Sequence, residues 1–232
     1  MNTQGLQTIN TGYGGAVASS DSQRVLRNTY GLLALSLLPT VLGAWIGVKT
    51  GIVASMGMGL SAVLFLGGAF AFMFAIDKTK HSAAGVGVLL GFTFFMGLML
   101  SRMVSAILGF SNGPSLIMTA FGGTAAVFFA MASLATVIKR DLTNMGKFLF
   151  VGAILLLVAG LVNIFLQSSA LMLTLSVVAI GLFSAFMLYD IKRVIDGGET
   201  NYISATLAIY LDIYNVFQSL LALLGVFGGE RE

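Results

Sequence analysis

Two aspartates near the end of the chain are the residues best placed to do chemistry. Asp190 and Asp212 lie inside or at the edge of two otherwise apolar segments. An ionised carboxylate costs at least about 2.5 to 3.5 kcal/mol in hydrocarbon, so acids at that depth usually serve a function. Two acids that share a low-dielectric site cannot both ionise freely, and they titrate as a pair that holds one proton. With both ionised, their oxygens suit a hard divalent cation such as calcium, so both are candidate calcium ligands.

The composition is typical of an integral membrane protein. Hydrophobic residues make up 57% of the 232 positions and charged residues only 9%, against about 45 to 50% and about 25% in ordinary globular chains. The 29 glycines suit helices that pack closely in lipid. The absence of cysteine excludes disulfides and thiolate sites, and His81 cannot build a zinc site alone. We therefore expect no cofactor, no nucleic-acid partner and no enzymatic activity.

Seven apolar runs follow a polar N-terminal stretch, and each is long enough to cross a bilayer core, for which about 20 residues suffice. We predict an all-α protein with a flexible cytoplasmic tail over residues 1–27 and one seven-helix transmembrane domain over residues 28–232. Short connections force sequential helices to run antiparallel. The predicted spans are residues 28–48, 51–76, 82–108, 115–138, 148–167, 171–194 and 200–227.

The basic residues predict the orientation of these spans. Short cytoplasmic loops collect Lys and Arg, and placing the N-terminus inside puts most of the 12 basic residues on the cytoplasmic side. We expect a multi-pass membrane protein with its N-terminus in the cytoplasm and its C-terminus outside. The basic residues on the predicted cytoplasmic side are Arg24, Arg27, Lys78, Lys80, Lys139, Arg140, Lys147, Lys192 and Arg193, and those on the other side are Lys49, Arg102 and Arg231.

The spacing of the last two spans does not decide whether the two acids meet. Glycines at 197–198 predict that the sixth helix ends near residues 194–195, and Thr200 is a candidate N-cap of the seventh. Asp190 and Asp212 would then lie roughly 8 Å and 18 Å along their helix axes. The offset of about 10 Å allows contact only if the hairpin is staggered or tilted.

The seventh span is the most polar, which predicts a position in the interior of the bundle, shielded from lipid. Asp212 shares a helix face with Asn215 and Ser219, and Tyr210 and Tyr214 flank it. We interpret these four residues as possible lining or support of an ion path.

Each acid also has a purely structural interpretation. In the first, Asp212 is a protonated acid that is hydrogen-bonded to a neighbouring tyrosine or amide. In the second, Asp190 forms an ion pair with the adjacent Lys192 or Arg193.

The C-terminal run LYDIKRVIDGGETNYISATLAIYLDIYNVFQSLLALLG, with NIFLQ at 163–167 and RNTYGLLALSL at 27–37, resembles the Bax inhibitor-1 family in its YccA-like bacterial branch. The resemblance implies a location in the bacterial inner membrane and six helices around a central seventh. It also implies a pH-sensitive calcium leak controlled by a di-aspartyl pair, which maps onto Asp190 and Asp212. In members whose gating is described, an arginine on the second span latches the pair, but residues 51–76 contain none. Arg102 lies about 12 Å beyond Asp212 along the bundle and is expected to snorkel outward instead.

Three functions are compatible with these features. The main hypothesis is a pH-sensitive leak for calcium or other cations, gated by the acid pair. The alternative is a non-conducting regulator of a membrane-bound ATP-dependent quality-control protease, with the tail as its cytoplasmic handle. Hydrolysis by an intramembrane aspartyl protease is disfavoured because Asp212 lies in YLDIY, which lacks the glycines of the GxGD motif of such enzymes.

Overall fold

The structure, a computed structural model, describes residues 10–230 of the chain and the side chains of residues 21–230. This part of the chain folds into helices joined by short connections, with no strand. The helices are α1 (Asn10–Thr50), α2 (Met58–Thr79), α3 (Ala83–Leu108), α4 (Gly113–Val137), α5 (Met145–Leu166), α6 (Ser169–Ile195) and α7 (Tyr202–Gly228).

All seven of these helices are long and apolar enough to cross a membrane, with mean hydropathy from 1.6 to 2.7 over their most apolar windows. The prediction of an all-α membrane protein with seven transmembrane helices is therefore confirmed. Large apolar side chains on the outer faces of the bundle are exposed, for example Phe148 and Phe165 on α5. They form the surface that faces the lipid acyl chains.

Two boundaries differ from those predicted by more than three residues, namely the starts of α1 and α2. α2 begins at Met58 rather than at residue 51, because Gly51 adopts a positive φ of 64° after α1 and the chain then turns as far as residue 57. α1 begins at Asn10, so the part of the predicted tail over residues 10–27 is helical. The rest of that tail, residues 1–9, lies outside the described residues.

The connections confirm that α7 runs the full length of the bundle. At one end, the Asn201 amide before α7 donates to the Lys80 carbonyl between α2 and α3 (2.8 Å). At the other end, Asn112 between α3 and α4 donates to the Gly228 carbonyl in the last turn of α7 (2.6 Å). We call the end that carries the α2–α3, α4–α5 and α6–α7 connections the basic end.

α7 is the central helix. It packs against α1, α2, α3, α4 and α6, whereas α5 packs chiefly against α6. The face of α7 turned to α1 and α3 is buried, and it includes the large side chains Ile209, Tyr210 and Tyr214. The polar composition of the last span thus indicated its interior position correctly.

Glycines allow α1 and α3 to cross closely. A Cβ added to Gly43 would lie 2.2 Å from the Phe94 carbonyl oxygen, and one added to Gly97 would lie 2.0 Å from the Thr40 carbonyl oxygen. The two backbones are therefore in direct contact, as expected for helices that associate through small residues in lipid. Gly87 begins a pair of glycines four residues apart, as Gly43 does, but a Cβ added to Gly87 would meet open space.

Candidate functional site

The structure brings the two predicted acids together. The carboxyl groups of Asp190 on α6 and Asp212 on α7 lie close enough to share a hydrogen bond when one of them is protonated. Asp212 is only 4% exposed, whereas Asp190 is partly exposed. The spacing in the sequence had left this contact open, and the hairpin geometry now shows how it forms.

The contact depends on where the two helices end and begin. α6 ends at Ile195, before Gly197 with φ 78°, as the glycine pair predicted. α7 is capped by Asn201, whose side chain accepts from the Ile203 and Ser204 amides, and not by Thr200 as predicted. Counted from its cap, Asp212 lies roughly 16 Å along α7, and Asp190 lies roughly 8 Å along α6. The remaining offset of about a turn and a half must be taken up by the relative stagger and tilt of the two helices.

The basic residues beside Asp190 have other partners. The Lys192 ammonium donates to Asp196, while Arg193 donates to the Gly198 carbonyl (3.3 Å) and lies 3.8 Å from Glu199. Among the described residues, neither cation forms an ion pair with Asp190. Within the described residues, no ion pair with a neighbouring cation therefore neutralises the charge of Asp190.

One oxygen of this pair is unsatisfied. Asp212 Oδ2 is the buried side-chain oxygen that has no hydrogen-bond partner within the described part of the chain. A buried acceptor without a partner costs about 1 to 3 kcal/mol, and more if it carries charge. Protonation of Asp212 reduces that cost, and so would a cation bound between the two carboxylates.

The two flanking tyrosines point away from the acids. The Tyr210 hydroxyl shares a 2.9 Å hydrogen bond with the Thr40 hydroxyl on α1 and lies 3.5 Å from the Thr93 carbonyl oxygen on α3. The Tyr214 hydroxyl donates to the Met96 carbonyl on α3 (3.3 Å). The tyrosines thus fasten α7 to α1 and α3, on the side that does not carry the acid pair.

The other two predicted lining residues also stand apart from the pair. The Asn215 amide donates to the Leu211 carbonyl on its own helix (2.7 Å). Ser219 is partly buried two turns along α7 from Asp212. No group of three or more His, Cys, Asp or Glu side chains suited to a metal occurs within residues 10–230. The two carboxyl groups are thus the acidic ligands that the described chain offers a cation here.

Arg102 lies at the opposite end of the bundle from the basic end, as expected. Its guanidinium donates to the Met56 carbonyl (2.8 Å) and to the Ser61 hydroxyl (3.3 Å). It lines a cavity of about 210 Å³ between α2, α3 and α7. No arginine occurs in α2, so the family's latch residue has no counterpart on that helix.

Sequence patterns did not reveal the hydroxyl partners of α7. Thr40 and Thr93 each lie within an apolar helix, and helical spacing does not reveal which tyrosine on a distant helix will meet them. Their position opposite the buried face of α7 appears only when the three helices are packed.

Comparison with known proteins places this architecture in a family. The sequence model described as "Inhibitor of apoptosis-promoting Bax1" matches residues 22–229. A protein of Vibrio cholerae named "Uncharacterized membrane protein" is 37% identical over 212 residues, which cover 90% of this chain and 92% of that protein. The Escherichia coli K12 protein named "Modulator of FtsH protease YccA" is 36% identical over 204 residues, 88% of this chain and 90% of that one. The same identity is found with "Inner membrane protein YccA" of a second E. coli strain. The family match covers all seven helices, including both helices of the acid pair, and the chain therefore belongs to the Bax inhibitor-1 family.

Proposed function

We propose that the protein is a non-enzymatic regulator of a membrane-bound protease. The observation that carries this proposal is the similarity along 88% of the chain to the E. coli protein named as a modulator of FtsH protease. The described chain has the form that such a role needs, namely a bundle embedded in lipid with a helix that extends beyond it. It buries no catalytic cluster beyond the two acids.

The extended first helix is the part of the chain suited to contact a protease. α1 begins at Asn10, whereas its apolar run begins near residue 28. At 1.5 Å per residue, the helix extends about 27 Å before that run. The positive-inside rule assigns this end, which is also the basic end, to the cytoplasm. The extension would then serve as the cytoplasmic handle.

Reconstitution with the protease tests this role. The protein and a membrane-bound ATP-dependent protease are placed in the same liposomes, and degradation of a membrane substrate is timed. We expect the full chain to change the rate several-fold, and a variant that lacks residues 1–20 to lose the effect while the folded bundle remains. An unchanged rate with the full chain at every ratio would contradict the proposal.

The acid pair supports a second function, a proton-controlled leak for calcium or other cations. The specific observation is the close approach of the carboxyl groups of the buried Asp212 and of Asp190. One shared proton would tie α6 to α7. When that proton leaves, the two carboxylates repel, and two unit charges at about 4 Å repel by about 4 kcal/mol at an effective dielectric constant of about 20. Their oxygens then become ligands for a hard cation.

Calcium entry into liposomes tests the leak separately from the regulator. We expect entry to depend on pH between about 5 and 8, and both Asp190→Asn and Asp212→Asn to remove that dependence. Asp141→Asn, in the exposed α4–α5 connection, is the matched control. Entry no faster than in empty liposomes, with a folded protein, would eliminate the leak and leave the regulator untouched.

A further inference from the structure

A second polar site lies at the basic end, outside the acid pair. It is a cavity of about 710 Å³ between the α4–α5 connection and the α6–α7 hairpin. Neither Asp190 nor Asp212 lines it. The basic and hydroxyl side chains that line it are Lys139, Arg140, Thr143, Tyr189, Lys192 and Arg193.

The lining carries four cations against two carboxylates, and both carboxylates are already engaged. Asp196 accepts from Lys192. Asp141 accepts from the Thr143 amide (2.8 Å) and the Thr143 hydroxyl. These hydrogen bonds, together with nearby Lys192, hold the pKa of Asp141 below its usual range. Asp141 therefore stays ionised and occupied with its own turn.

Three cations are left with little or no compensation. Lys139 and Arg140 are exposed, and within residues 21–230 neither forms an ion pair. Arg193 is 3.8 Å from Glu199, which is a long contact for a charge-assisted hydrogen bond. Basic side chains from two different connections thus line one cavity and leave a net positive charge.

The cavity also offers neutral donors. Tyr189 lies against the first turn of α5, since a Cβ on Gly146 would be 2.6 Å from the tyrosine hydroxyl oxygen. Guanidinium and ammonium groups together with hydroxyl donors match the oxygens of a phosphate. Basic pockets between transmembrane helices at headgroup level are suited to anionic headgroups.

We propose that this cavity binds a phosphate-bearing anion through Lys139, Arg140 and Arg193. The phosphate belongs either to the headgroup of an anionic phospholipid or to a free phosphate compound. The bound anion joins the α4–α5 connection to the last turn of α6, one turn beyond Asp190. This inference concerns binding and does not depend on either proposed function.

Binding by the purified full chain in neutral detergent tests the site. Native mass spectrometry counts bound phosphatidylglycerol against phosphatidylcholine, and a thermal-shift titration uses inorganic phosphate. We expect the double variant Lys139→Gln with Arg140→Gln, and separately Arg193→Gln, to weaken anion binding about tenfold. Lys147→Gln is the matched control, because Lys147 is an exposed cation at the same end that does not line the cavity.

The arms of the experiment separate the two sources. Binding of phosphatidylglycerol that inorganic phosphate does not displace identifies a lipid headgroup. Stabilisation by inorganic phosphate alone, lost in the double variant, identifies a free phosphate compound. The proposal is overturned if the double variant and Arg193→Gln bind both probes as the parent does, or if Lys147→Gln weakens binding equally.

Discussion

The hydrogen bond between Asp190 and Asp212 exists only while at least one of the two carboxyl groups is protonated. When both groups are ionised, two like charges meet across the contact between α6 and α7 and repel each other. Stability is present while the proton is bound and is lost as the pH rises and the proton leaves. We expect the Tm in neutral detergent to fall between about pH 5 and 8, by about 2 to 4 °C for each kcal/mol lost.

The variant Asp212→Asn checks this pH dependence. Its amide still donates to Asp190 but carries no titratable proton, so its Tm should stay level over the same range. Asp141→Asn should follow the parent, because the lowered pKa of Asp141 places its titration below this range. Equal slopes in the parent and in Asp212→Asn would contradict the shared proton.

The Tyr210 hydroxyl also stabilises the folded bundle through a hydrogen bond. Its hydroxyl joins Thr40 on α1 (2.9 Å) in the interior of the bundle. Tyr210→Phe should lower the free energy of unfolding by about 0.5 to 1.5 kcal/mol. A double-mutant cycle with Thr40→Val isolates the pair: a coupling energy near zero would show that the two hydroxyls do not stabilise each other.

At the scale of helices, the α1–α3 crossing tolerates no added methyl group. Gly97→Ala would force a Cβ to within 2.0 Å of the Thr40 carbonyl oxygen, and we expect a loss of about 3 kcal/mol or more. Gly87→Ala on the same helix meets open space and should be neutral or stabilise by up to about 1 kcal/mol. Unfolding of the two variants in detergent checks the contrast. Equal destabilisation would show that the backbone conformation of glycine, rather than the close contact between α1 and α3, determines the loss of stability.

The helices were largely predictable, whereas the contacts between them were not. Apolar length alone placed all seven spans, because every backbone group in lipid must be satisfied within a helix. Whether Asp190 reaches Asp212 depended on how α6 and α7 pack, because the change of cap from Thr200 to Asn201 moves Asp212 by only about 1.5 Å along its axis. Gly43 and Gly87 also have equivalent sequence patterns, yet only Gly43 lies at a helix crossing.

At the scale of the whole molecule, the orientation in the membrane can be tested directly because the chain contains no cysteine. Asp141→Cys adds one thiol to an exposed connection at the basic end, and Ser55→Cys adds one to an exposed connection at the other end. With the basic end in the cytoplasm, a membrane-impermeant maleimide should label Ser55→Cys in intact spheroplasts and Asp141→Cys only in inverted vesicles. The reverse pattern would place the basic end outside.

The position of α5 links the acid pair to the surrounding bilayer. α5 packs chiefly against α6, the helix that carries Asp190, and its outer face is covered with exposed apolar side chains. If deprotonation separates α6 from α7, two helices move outward and the protein occupies more area in the plane of the membrane. The work done against the lateral pressure of the bilayer then adds to the free energy of this separation, which the proton also controls. Membrane tension and acidity would thus act in opposite directions on a single conformational change.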